Sequence, residues 1–283
     1  MRISLRNRAQ SEFSAFLFHP LDARGAAWFR IAFAVALPFF FWSRDLTGPH
    51  SSHESITWVF NHVILTTGYW LAVVALCVPL AFGWRPRRFA FFLFLMLLPM
   101  VFLSRGNQSR QVILFALFAF SFIRSGAVRL PWRAPEPFQR ISAGPSWPLR
   151  LIQLQLTLLY GSNAIAKSTS SYLSGDILMA MSISISNFKV DMSNGFLELG
   201  PITIPVILAG AGSVLIEYFL ALGFWLGRWK WVVAVVGVGF HLSLLCIMQI
   251  FKLDLAAIFL YLAFILPLLP RKTKPTSCSS NEN

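Results

Sequence analysis

Three polar side chains in the string RLIQLQLTLLYGSNAIAK, namely Gln153, Tyr160 and Lys167, follow one another at intervals of seven residues. On a helix that spacing sets them within about 40° of one another, with Thr157 beside them and Asn163 flanking. An amide, a phenol and an amine on one face can orient a substrate by hydrogen bonds. The amine can also take a proton from it, provided its surroundings favour the neutral form. The same face has a structural reading, in which Gln, Thr, Tyr and Asn hydrogen-bond to neighbouring helices and Lys167 snorkels to an interface. Spacing alone leaves both open.

Further ionisable groups fall inside apolar runs: Arg30, Glu217 and His241, with Gln249, Lys252 and Asp254 close to one end. A lone charge at the centre of a bilayer costs about 2.5 to 3.5 kcal/mol on insertion scales. Arg30 and Glu217, both assigned to the cytoplasmic half, are therefore expected to pair and fix helix packing. His241 falls near mid-membrane, where an imidazole serves either as a hydrogen-bonded structural group or as a proton handler. No His-x-x-x-His pair, carboxylate cluster or nucleophile elbow accompanies them, so neither a metal site nor a hydrolase site is expected. Cys77, Cys246 and Cys278 are mutually remote and suggest no disulfide framework.

The elements that must position these groups follow from composition. Of the 283 residues, 56% are hydrophobic and only 12% charged, against about 25% charged in soluble domains. Such a chain lacks the polar surface to face water, so lipid must be its solvent. Apolar runs at 26–42, 69–83, 89–103, 111–123, 149–166, 202–226, 231–250 and 253–269 meet or approach the roughly 17 to 25 residues of a spanning helix, the fourth being the shortest. An all-α, polytopic membrane bundle of about eight transmembrane helices is predicted. The net charge of +13 is spread over short linkers rather than one face, which argues against a nucleic-acid partner. Alternate linkers carry 17 Lys and Arg against 6 on the others, so both termini are expected in the cytoplasm.

The organisation that results is a basic, interfacial N-terminal segment at 1–24, in which Phe13, Phe16, Leu17 and Phe18 suit a short headgroup-layer helix. A membrane domain follows at 25–269 and a polar tail at 270–283. No cleavable signal peptide is recognised, so the first helix is expected to stay in the mature chain. Of the two long linkers, 124–148 is expected inside and 168–200 outside, where Ser182–Ser186 could form a helix or an irregular cap.

Five strings occur in an order that resembles the HTTM (horizontally transferred transmembrane) domain family, related to the vitamin K-dependent gamma-carboxylases. They are WFRIAF in the first run, FGWRPRR after the second, RLIQLQLTLLYGSNAIAK, VLIEYF, and FHLSLLCIMQIFKLDLAAIFLY. The GWRPR string also resembles the bacterial subgroup that matures sporulation-delaying peptide toxins. The resemblance covers about residues 16–266 and implies a bacterial inner or plasma membrane location. In the carboxylases a lysine at the corresponding helix end activates vitamin K hydroquinone, which by resemblance makes Lys167 the base and a quinol such as reduced vitamin K the cofactor. The chain departs from the carboxylases at Asn107–Gln108–Ser109, where they carry Asn-His-Ser, and at Tyr172, where they carry Trp. Those departures weigh against glutamate carboxylation itself.

Two function classes are therefore expected to compete. The first is a membrane enzyme that modifies a peptide or a lipid-soluble substrate in an outward-facing cavity, with Lys167 and His241 catalytic and Tyr160, Asn163 and Gln153 binding substrate. The second is a non-catalytic membrane partner or immunity-like protein for a secreted peptide.

Overall fold

The computed structural model describes residues 14, 16–18, 20–41, 63–103, 108–133, 142–184, 190, 192–199, 202–226, 229–247 and 251–265. The expected features at 1–13, Gln249 and the polar tail lie outside these residues. The described chain is predominantly helical, with two small antiparallel ribbons. Helices of 13 to 21 residues stand at the eight expected runs: α1 (Ala23–Phe40), α2 (Val63–Ala81), α3 (Pro86–Leu103), α4 (Gln108–Phe120), α5 (Trp147–Lys167), α8 (Val206–Gly223), α9 (Lys230–Ile247) and α10 (Phe251–Ile265). Two short helices, α6 (Ser170–Leu173) and α7 (Asp176–Ser184), intervene between α5 and α8. α1, α8 and α9 are long and apolar enough to cross a membrane.

The solvent such a bundle requires is legible on its outside. Val35, Phe102, Leu158, Ile165, Leu215 and Val235 are large, apolar and exposed, whereas Arg30, Arg110, Gln153, Glu217, His241 and Asp254 are buried. Large apolar side chains left outside, around an apolar core that also takes in these polar and charged groups, are compatible with a surface that faces lipid. Aromatic packing binds the centre: Phe29 stacks on Phe259 with centroids 5.6 Å apart, and Phe33 stacks on Phe120 at 5.7 Å. Where α1 ends, its last carbonyls need partners. The Trp70 indole of α2 supplies one, donating to the Pro38 carbonyl at 3.0 Å.

The sixth run is shorter as a helix than expected. Residues Ile202–Pro205 form strand β4, which pairs with β3 (Phe196–Leu199) in register Leu199↔Ile202. Pro201 and Pro205 disfavour helix at the residues before them, and Ile-Thr-Ile suits a pleated strand, so α8 begins only at Val206. The helical possibility at 182–186 is realised to Ser184 by α7, and residues 185–189 lie outside the described set. The linker at 124–148 holds two 3-10 turns, Ser125–Ala127 and Pro131–Arg133, and strand β2 (Ser142–Pro145), which pairs with β1 (Pro20–Asp22). Beside it, Ser146 Oγ donates to the Phe16 and Leu17 carbonyls, and the Arg150 guanidinium lies 4.1 Å over the Phe16 ring. Residues 16–18 are thereby docked at the start of α5.

Candidate functional site

Four helices converge on one polar interior. α5 runs antiparallel to α8, as two cross-links eight to ten residues apart along them establish. Trp225 Nε1 donates to Thr157 Oγ1 at 2.8 Å, and Lys167 Nζ donates to Glu217 Oε1 at 2.8 Å. α9 brings His241 and α10 brings Asp254 and Tyr261 against the same stretch of α5. Small residues permit this approach: a Cβ on Gly237 would stand 2.7 Å from the Tyr261 hydroxyl, and one on Gly223 would stand 2.7 Å from Val233.

Asp254, His241, Tyr160 and Tyr261 form a continuous hydrogen-bonded chain. His241 Nδ1 lies 2.8 Å from Asp254 Oδ1, its Nε2 lies 2.7 Å from the Tyr160 hydroxyl, and that hydroxyl lies 2.5 Å from the Tyr261 hydroxyl. All four side chains are buried. An ionised Asp254 can only accept, so Nδ1 carries hydrogen, and Nε2 of the neutral ring becomes the acceptor for Tyr160. Tyr160 then accepts from Tyr261. Every donor in this arrangement points toward Asp254, whose Oδ2 is buried without a partner. A proton added at the Tyr261 end can reach the imidazole by shifts within two hydrogen bonds.

Lys167 sits at the helix end above this chain. Its side chain is 32% exposed while that of Glu217 is 4% exposed, so the ion pair has one wet end and one dry end. Glu217 Oε2 is buried with no partner, and the carboxylate lies close enough to Tyr160 and His241 to interact with them electrostatically. Lys167 Nζ also lies 5.6 Å from the Tyr172 ring centroid, within reach of a cation–π attraction. Ser168 Oγ and the Tyr218 hydroxyl, 3.2 Å apart, stand at the same edge.

The expected Arg30–Glu217 ion pair is not formed. Glu217 pairs with Lys167, and Arg30 donates instead to main-chain carbonyls, to Ala81 at 3.3 Å, to Val128 at 3.1 Å, and to Ser125 and Arg129. A shared depth does not make two helices face one another: α8 turns Glu217 toward α5, not toward α1. The loop carbonyls that cradle Arg30 carry no charge to be read in a sequence. Gln153 is separated from the site as well. It is buried, accepts from Arg150 Nη1 at 2.8 Å and donates to the Ala263 carbonyl at 3.5 Å, which ties α5 to α10. Asn163 is partly exposed one turn before Lys167 and makes no side-chain hydrogen bond among the described residues. Tyr160 and His241 are in direct contact, while Lys167 stands seven residues beyond Tyr160 on α5 and contacts Glu217.

Tyr261 is the member that sequence reasoning passed over. Its signal was available, since it follows Asp254 by seven residues as Lys167 follows Tyr160. Among the described residues no three His, Cys, Asp or Glu side chains gather as a metal ion would require. Comparison with family models, with curated proteins and with solved structures returns no match for this chain.

Proposed function

We propose that this chain is a multi-pass membrane protein of eight spans whose site performs proton transfer on a lipid-soluble or peptide substrate arriving at the external edge. The observation that carries this reading is the Lys167–Glu217 pair, half wet and half dry, set beside a buried tyrosine–histidine–aspartate chain. A lysine held by a carboxylate is a proton donor at rest. To act as a base it must first pass its proton on, and Glu217, with one oxygen unpartnered, is positioned to receive it. Tyr160 and His241 then offer a route for that charge into the bundle, with Asp254 as the anionic end that steadies an imidazolium.

The ordered resemblance to the HTTM domain supports the same assignment of Lys167. A quinol, the cofactor that resemblance implies, would supply a hydroxyl proton for neutral Lys167 to take, leaving a quinolate and an ammonium. The edge fits such a molecule, because the Lys167 ammonium and the Ser168 and Tyr218 hydroxyls stand next to exposed, lipid-facing Ile165. Asn163, unpartnered one turn below, is the amide available to orient a substrate.

A second reading, the non-catalytic membrane partner of a secreted peptide, is favoured by the saturation of the interior. Both His241 nitrogens and both tyrosine hydroxyls are already bonded within the protein. The two are separated by mass spectrometry of the host's secreted peptides and membrane lipids with the wild-type protein and with Lys167→Arg. A product mass present with the wild type and lost in the variant supports catalysis. Identical spectra, with function retained, would leave the binding reading in place.

A further inference from the structure

A second site lies at the opposite end of the bundle, in the turn between α2 and α3. A cavity of about 820 Å³ opens there between residues 83–91 and 121–129. Five arginines line it, Arg85, Arg87, Arg88, Arg124 and Arg129, and among the described residues no acidic one does. Among the described residues none of the five forms an ion pair, and Arg87 Nε donates to the Ser121 carbonyl at 3.3 Å. Like charges so gathered repel one another unless an anion joins them.

Two further features add to the positive field. Pro86, Arg87 and Arg88 open α3, an 18-residue helix, so its positive dipole end faces the cavity. Behind the wall lies Arg30, wholly buried, held only by carbonyls, and so close that a Cβ on Gly83 would stand 2.7 Å from its Nη1. Its charge is compensated by dipoles and by no carboxylate. The turn itself is built for this placement: Gly83 has φ +73° and Arg85 has φ +43°, which turns the chain sharply between two antiparallel helices.

Three aromatic side chains join the small residues in the rest of the lining. Trp84, Phe91 and Phe122 border the arginines, with Trp84 and Phe91 exposed where α3 faces lipid. Guanidinium forks match phosphate oxygens in pairs, and an aromatic border beside them suits an acyl chain or glycerol backbone. We propose that this cavity binds a phosphate-ester anion, carried by an anionic phospholipid headgroup or free in solution. The site is independent of any chemistry at Lys167 and needs only that the bundle be folded.

The test uses the full-length protein in detergent with equimolar phosphatidylglycerol and phosphatidylcholine, and counts retained lipid by native mass spectrometry. Phosphatidylglycerol should be retained over phosphatidylcholine. The double variant Arg88→Gln/Arg124→Gln should lose that retention by roughly thirtyfold, given the worth of each basic residue near an anionic surface. Arg24→Gln, exposed and outside the cavity, should leave it unchanged. A parallel titration with inorganic phosphate alone distinguishes the sources: displacement of the lipid at millimolar phosphate assigns a free anion, and failure to displace it assigns the headgroup. Should the double variant melt early, the wild type still decides, because raising salt from about 0.05 to about 0.5 M must weaken a screened charge interaction. Equal retention of the two lipids, full retention by a folded double variant, or insensitivity to salt would overturn the proposal.

Discussion

Lys167 at the end of α5 and Glu217 in the middle of α8 meet at 2.8 Å, and the two ends of this pair are unequally wet. The inequality predicts an asymmetric response to mutation. Lys167→Met strands a buried carboxylate and should destabilise the protein by about 3 kcal/mol, the low end for an uncompensated buried charge. Glu217→Gln leaves an ammonium that can snorkel outward, so its cost should stay near about 1 kcal/mol. The double variant should recover part of the larger loss. Melting of the four proteins in detergent reads this out, and equal, additive losses would show that the pair contributes nothing.

Arg30 belongs to a different unit. Because it is held by carbonyls of the 81–83 turn and the 125–129 turns, its removal and that of Glu217 should add without coupling. Arg30→Met combined with Glu217→Gln should therefore show a coupling within about 0.5 kcal/mol of zero. A coupling several times larger in the same melting assay would reinstate a direct interaction.

The buried chain predicts an order of severity among its members. Tyr160→Phe removes the hydroxyl that serves both His241 and Tyr261, leaving two buried polar groups unmade, each worth about 1 to 3 kcal/mol. Tyr261→Phe removes one bond and should cost less. Gly237→Ala keeps every polar group but drives a methyl against the Tyr261 ring, so it should destabilise by about 1 to 3 kcal/mol through overpacking. Thermal unfolding ranks the three, and Tyr261→Phe proving the most damaging would contradict the central place of Tyr160.

Topology is tested by reporter fusions. With 17 basic residues on one set of linkers and 6 on the other, fusions after Arg88, Arg140 and Arg228 should read cytoplasmic. Those after Asp45, Asp176 and Asp254 should read external. An external signal at Arg140 would break the eight-span alternation.

Helix positions were legible in the sequence because each of the eight helices coincides with an apolar run set off by polar linkers. The ribbon at Ile202–Pro205 was not, since its residues are as apolar as the helix they precede, and two prolines alone mark the change. Within the site, Tyr160 and Lys167 could be placed together by their spacing on one helix. Their partners on other helices could not, because the partner of a buried charge depends on rotation and offset between helices. That is why Glu217 was assigned to Arg30, whose actual partners are carbonyls common to every residue. The relay to Asp254 and Tyr261 required α9 and α10 to pack against α5, a relation that no spacing in the chain encodes.

The proton-transfer account depends most on Lys167, and one substitution separates its charge from its proton. Arginine keeps a cation opposite Glu217, carries a flexible apolar stem and has nearly equal helix propensity, so Lys167→Arg should insert and melt as the wild type does. A guanidinium cannot release its proton near neutral pH. The measurement is the yield of the host's modified peptide or lipid, by mass spectrometry, from equal amounts of folded wild type and Lys167→Arg. The account predicts normal folding and loss of the product. Full product from the arginine variant would contradict it, for the site would then need only a positive charge.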